Sequence, residues 1–325
     1  MKKIFKDIGI IVLLGFLFVI LMDTWLRNQN SIYKAKLTGL EKNIENIELL
    51  ILGNSRAGYG INPTLFDQNT YNLANVSQSI YFDKRITEKY LDKLKKLKYV
   101  LLSIDYHTLY FSSQGRRDYW SYYAHDIKHP DRSYTMPTIS PFLYGYSSKP
   151  SMAMLKRSVI NNLSHNDSIL DFDVENGINI EIPMKKGFIT YENTDKDAFN
   201  KIAFKARADY FNRKTLNSTE KEMVMKDLEE FISILKEKNI QPILITSPCI
   251  KEFRDLLDEK VKKQNMKDIQ YLVEKYQLPY FNFFDGEKFF DKNDFHNCDH
   301  LNQKGAKKYA SLLNDRINSF YFEKK

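Results

Sequence analysis

Glu48-Leu49-Leu50-Ile51-Leu52-Gly53-Asn54-Ser55-Arg56 decides how the chain is read. An apolar run of Leu and Ile stops abruptly at a Gly-Asn-Ser-Arg turn. A run with no polar alternation predicts a buried parallel strand, because such strands are covered on both faces. The carboxyl end of a parallel strand opens onto the crevice where α/β proteins place their ligands. Gly53 permits a tight turn there, and Ser55 is placed to act as a nucleophile. The competing reading of Ser55 is an ordinary turn residue or helix cap.

Working outward, the far end of the chain supplies a partner for this serine. In Asn297-Cys298-Asp299-His300-Leu301-Asn302-Gln303-Lys304-Gly305-Ala306 a histidine stands just before an expected helix. Asn302 caps that helix, which the pattern extends from about 303 to 320. A serine hydroxyl is a poor nucleophile near neutral pH without a base, and His300 is such a base. Read without chemistry, His300 is a hydrogen-bonding residue at a helix start.

Between these ends the pattern alternates. Strands are expected at about 47–52, 71–74, 99–104, 242–247 and 279–283. Amphipathic helices are expected over 80–97, 219–238 and 253–276, with an apolar stripe of Met223, Leu228, Phe231, Ile232 and Leu235 in the second. Strand, helix, strand order implies right-handed parallel crossovers. From about 105 to 200 the pattern loosens into Tyr and Phe clusters with Pro130, Pro137, Pro141 and Pro150, read as an insertion or lid. The fold class expected is α/β: a flavodoxin-like three-layer sandwich with a parallel central sheet, an irregular insertion and an N-terminal transmembrane helix. Residues 1–30 form a cytoplasmic N-terminus and membrane anchor, 31–46 a connector, and 47–325 the folded domain.

The anchor rests on Ile8 to Met22, which runs without a charge behind Lys2, Lys3 and Lys6 and ahead of Trp25. The run itself is short for a span, but Ile4, Phe5 and Leu26 with a snorkelling Lys6 bring it near spanning length. Leu21-Met22-Asp23-Thr24-Trp25-Leu26 offers no small-x-small cleavage site, so an uncleaved signal-anchor is expected. The layout predicts an inside N-terminus and an extracytoplasmic domain on a single-pass protein of the cytoplasmic membrane. The net charge of +8 suits anionic envelope polymers or lipid headgroups, although a solvated basic surface explains it equally simply. No compact basic motif accompanies it, which excludes a nucleic-acid-binding reading. Cys249 and Cys298 are the only cysteines, so there is no disulfide framework. Export permits a bridge between them, and two unpaired structural thiols are the preferred reading.

Gly53-Asn54-Ser55-Arg56 resembles the first block of the SGNH/GDSL hydrolase superfamily, in which a Gly-Asp-Ser or Gly-Asn-Ser turn presents the nucleophile. Asp299-His300-Leu301-Asn302-x-x-Gly305-Ala306 resembles its last block, which carries the catalytic histidine. The resemblance spans about 47–320, with the middle insertion unmatched, and implies Ser55 as nucleophile and His300 as base. The family's acid usually precedes the histidine by three positions. Asn297 stands there, and an amide orients an imidazole without stabilising its cation by charge. Asp294 and Asp299 are alternatives that the spacing does not favour. The resemblance also places Ala74, through its backbone N–H, Asn75 and Asp105 at oxyanion or substrate-binding positions. Asp105 stands where the family has asparagine, and an ionised carboxylate accepts hydrogen bonds only. Gln78 is a further possible donor.

Membrane-anchored relatives associated with acylation of envelope polymers share this layout. The function expected is therefore a serine esterase or O-acyltransferase acting on acyl groups of an envelope glycan or polymer. The resemblance implies a multi-span membrane O-acyltransferase as partner. No cofactor and no metal is expected, since His107, His125, His129 and His165 lack a ligand pattern. The reading from another class is a non-catalytic accessory protein that keeps the fold and binds a glycan or a membrane partner. Arg116 and Arg117, with Tyr119, Trp120, Tyr122 and Tyr123, are candidates for anionic or sugar contacts within the insertion; a solvated loop and an aromatic core explain them as well.

Overall fold

The computed structural model describes residues 2–27, 32–112 and 185–322, with a few isolated positions between 113 and 184. Arg116, Arg117, Tyr119, Trp120, Tyr122, Tyr123, His125, His129 and His165 lie outside the described residues. The chain divides into two compact units, residues 1–35 with 115–174 and residues 36–114 with 175–325.

In the first unit, helix α1 (Lys2–Arg27) contains a 23-residue stretch, Lys3–Trp25, of mean hydropathy 2.6. Its apolar side chains are exposed, including Ile11, Val12, Phe16 and Leu21. A helix this long and apolar reaches across a hydrocarbon core at 1.5 Å per residue. Helix α2 (Ile32–Asn43) follows in sequence, with residues 36–43 in the second unit, so most of the expected connector is helical.

The second unit is built on a five-stranded parallel sheet. Its strands are β1 (Leu49–Leu52), β2 (Thr70–Asn72), β3 (Tyr99–Ser103), β6 (Gln241–Thr246) and β7 (Tyr280–Asn282), in the order β2-β1-β3-β6-β7. Helices flank the sheet on both sides. A separate antiparallel pair joins β4 (Ile178–Asn179) to β5 (Thr190–Tyr191). All four residues of β1 are buried, as an uninterrupted Leu/Ile run requires. Connections from β1 run first to β2 on one side and then back across to β3 on the other. The order therefore reverses beside β1, and the carboxyl ends of β1 and β3 bound the crevice that such a reversal creates.

The helices are α3 (Ser55–Gly60), α4 (Ile80–Tyr90), α5 (Lys201–Leu216), α6 (Lys221–Glu237), α7 (Lys251–Arg254), α8 (Glu259–Tyr276) and α9 (Gln303–Phe322). Three depart from the sequence pattern, and the first is α4, which stops at Tyr90 rather than running to 97. The helix expected over 253–276 is split, because Asp258 caps a new start through Val261 N at 3.0 Å. Helix α5 begins just after the stretch read as insertion, where no helix was expected. It shows little segregation of apolar residues, which hid it from periodicity, yet it buries Phe204, Ala208, Phe211 and Thr215.

Candidate active site

The turn after β1 is shaped by Gly53, whose φ of +125° lies in the region open to glycine. A Cβ there would also stand 2.6 Å from the Ser103 Cβ. Asn54 then caps α3, its Oδ1 accepting from Arg56 N at 2.9 Å, while its Nδ2 donates to Asp105 Oδ2 at 3.0 Å. Ser55 opens α3, where a backbone N–H has no partner within the helix. The turn is tied down from behind by Asp83 on α4, which accepts from Gly53 N at 3.2 Å. Burial pushes the Asp83 carboxyl up to about 7, against hydrogen bonds from Gln78 and Gly53 that favour the anion.

His300 arrives from the opposite end of the chain. Its Nε2 lies 2.8 Å from Ser55 Oγ, and its Nδ1 lies 3.1 Å from Asn297 Oδ1. The Asn297 oxygen also accepts from the backbone N–H of Asp299 and His300, at 3.2 and 3.0 Å. An oxygen at Nδ1 assigns the proton to that nitrogen and leaves Nε2 to accept from the serine. Rings fix the imidazole laterally, Tyr59 from α3 and Tyr191 from β5, at 5.8 and 5.9 Å between centroids. The following helix is set by Asn302, whose Oδ1 accepts from Gly305 N at 3.1 Å. Gly305 is required there because a Cβ would overlap the Asp294 carbonyl.

The carboxylate near His300 is one that spacing disfavoured. Asp299 Oδ1 lies 3.4 Å from Nδ1, and its side chain is 1% exposed. Burial works against ionisation, but the Arg207, His300 and Arg56 charges outweigh it and hold this carboxyl well below the usual range. Arg207 on α5 pairs with its other oxygen, at 3.0 Å from Nη2. The Asn297 amide thus takes the directed hydrogen bond, and Asp299 supplies negative charge beside it. Adjacent residues on an irregular segment obey no helix or strand period, so nothing in the sequence signalled this approach. Asp294 is paired with Lys304 and Lys308.

Two of the expected oxyanion positions require correction. Asp105 is 2% exposed and paired with Arg56 at 3.1 Å, while it accepts from Ser103 Oγ and Ser247 N. Its carboxylate is engaged in holding the turn from beneath. Arg56 extends the same buried tie, donating from Nη2 to the Ser247 and Pro248 carbonyls and from Nε to the Asp299 carbonyl. The Ala74 N–H is engaged by Asn72 Oδ1 at 3.1 Å. Asn75 remains, with its backbone N–H on Gly53 O and its Oδ1 taken by Val76 N. Its side-chain NH2 has no acceptor among the described residues. Gln78 donates to Asp83 and Leu73 O instead.

Cys249 and Cys298 are both buried and unbridged. Burial pushes the Cys249 thiol up to about 12, despite the nearby Arg56 and Arg254 charges that favour thiolate. Among the described residues, no group of three or more His, Cys, Asp or Glu side chains is placed to hold a metal ion.

No family model matches the chain, and no curated protein matches it. Solved structures do. One is described as an acylhydrolase from Bacteroides fragilis, at 10% identity and a TM-score of 0.40, over 88% of this chain and 97% of that one. A GDSL-like lipase from Bacteroides thetaiotaomicron gives 11% identity and 0.41, over 88% and 97%. A protein from Streptococcus pneumoniae, described as a platelet activating factor, gives 11% and 0.40, over 93% and 98%. These are likenesses of fold at low identity.

Proposed function

We propose that the chain is a membrane-anchored SGNH/GDSL-type acyl-transferring enzyme with Ser55 as nucleophile and His300 as base. The observation that carries this is the 2.8 Å contact between Ser55 Oγ and His300 Nε2, at the carboxyl end of β1, with an acceptor at Nδ1. Ser55 Oγ attacks an acyl carbonyl carbon as its proton passes to Nε2. The imidazolium that forms keeps its Nδ1–H on Asn297 and faces the Asp299 carboxylate. The oxyanion of the tetrahedral intermediate is met by the Ser55 N–H and the Asn75 side-chain amide. Collapse breaks the ester bond, the leaving alcohol takes the proton from Nε2, and the acyl group stays on Ser55. An acceptor hydroxyl then repeats the sequence in reverse, with water giving hydrolysis and a sugar hydroxyl giving transfer.

The substrate class is an acyl group carried by an envelope glycan or polymer, and the domain lies outside the cytoplasm. The apolar α1 supports the anchor, and the net charge of +8 suits an anionic polymer. A multi-span membrane O-acyltransferase is the natural donor of acyl groups to such a site. The test is turnover of p-nitrophenyl acetate and of an O-acetylated polysaccharide by the full-length chain in detergent. Turnover lost on Ser55→Ala supports the reading, and turnover indifferent to that change overturns it.

A further inference from the structure

Lys36 on α2 is completely buried, and its Nζ donates to the Ala74 carbonyl. Burial pulls its pKa down to about 7, so the amine is held where a charged group is costly. An apolar side chain would pack α2 against the sheet without that cost. The position is tied a second time, because Tyr71 on β2 donates from its hydroxyl to the Lys36 carbonyl at 2.6 Å.

What the amine holds is the loop that carries Asn75. The peptide between Ala74 and Asn75 is gripped on both edges: its carbonyl accepts from Lys36, and its N–H donates to Gly53 O at 3.0 Å. A chain of hydrogen bonds thereby runs from α2 through this peptide into the turn that presents Ser55. From the α3 side, Asn72 Nδ2 donates to the Ala57 and Ile61 carbonyls while its Oδ1 holds Ala74 N. The loop closes with Gln78 N on Asn75 O at 3.1 Å and with Ser77 at φ +55°, a strained value for a residue with a side chain. Strained loops hold their shape only where neighbours over-determine them. Lys36 ties the loop from α2, as Gln78 ties its far end to Asp83 on α4.

We propose that Lys36 is a positioning residue that sets the Ala74–Asn75 peptide, and through it the Asn75 amide, against the nucleophile turn. This rests on the reading of Ser55 as nucleophile. Lys36→Met keeps the aliphatic stem and removes the donor, leaving the Ala74 carbonyl with only its backbone surroundings. A misplaced oxyanion donor weakens the transition state more than substrate binding, so the loss falls on kcat.

The experiment compares wild type, Lys36→Met and Tyr71→Phe as full-length chains in detergent, by ester turnover, thermal midpoint and amide hydrogen exchange of the 70–79 segment. Tyr71→Phe loosens α2 without touching the amine and controls for packing. For Lys36→Met the expected result is a kcat about 10- to 100-fold lower with KM within about twofold. Exchange in 70–79 quickens, and the thermal midpoint does not fall. Tyr71→Phe keeps kcat within about threefold on the same reasoning. Wild-type kcat or unchanged exchange in Lys36→Met overturns the inference, as does an equal kcat loss in Tyr71→Phe. Wild-type turnover that survives Ser55→Ala overturns the serine reading itself, a separate failure from a Lys36→Met enzyme that stays fast.

Discussion

At the level of single residues, the proposed mechanism has Asp299 and Asn297 divide between them what one aspartate does in a serine protease. The amide fixes the ring and its tautomer, and the buried carboxylate, 3.4 Å from Nδ1, offsets the imidazolium charge. Asp299→Asn should therefore lower kcat by roughly two to four orders of magnitude, by comparison with the handicap of a triad aspartate replaced by asparagine. Steady-state ester hydrolysis measures it. Asn297→Asp should change kcat far less, since it only adds a second carboxylate beside Asp299, and a larger loss there would reverse the two roles. Ser55 and His300 were legible as a pair because each sits at an element boundary that hydrophobic patterning marks. The 3.4 Å approach of Asp299 was not, since it depends on how residues 297–300 curl around an amide oxygen. Nor was the fate of Asp105, which reads as a site residue until Arg56 is seen to claim it.

Among the elements, the turn after β1 carries the tightest constraints. Gly53→Ala puts a side chain at a φ of +125° and against Ser103, and should destabilise the domain by about 1–3 kcal/mol. Thermal unfolding measures this. Behind the same turn, Asp83 on α4 gives the domain a pH signature. Its folded-state pKa is raised from 3.8 to about 7, chiefly by burial. Its contribution to stability is thus full below about pH 4 and is lost as the pH rises through about 7. Asp83→Asn should raise the thermal midpoint at pH 8, by an effect on the order of a few kcal/mol, and leave it unchanged near pH 4. A gain of equal size at both pH values would assign the effect to packing. The strands were legible at this scale because buried parallel strands are continuous apolar runs bounded by turns. Helix α5 was not, because its polar and apolar residues are spread around its circumference and its burial comes from tertiary contacts.

For the whole molecule, α1 gives the organisation its direction. The 23-residue stretch in an exposed helix predicts that the chain stays with membranes after alkaline carbonate extraction. On the proposed topology, protease added to intact spheroplasts digests the folded domain, and full protection with retained membrane association would place that domain inside. The helix was visible in the sequence because length and absence of charge alone define it. The side on which the domain lies depends on flanking charges that are only weakly biased.

The account stands on Ser55 and His300 acting as one unit, and the most direct measurement is covalent capture. Full-length protein is treated with a fluorophosphonate, which reports nucleophilic serines activated by a base, and the adduct is mapped by peptide mass spectrometry. The account predicts an adduct on Ser55 that is lost in Ser55→Ala and slowed at least 100-fold in His300→Ala, as expected when a serine loses its base. An unlabelled Ser55 in folded wild-type protein, or labelling at Ser55 that proceeds equally well without His300, would contradict it.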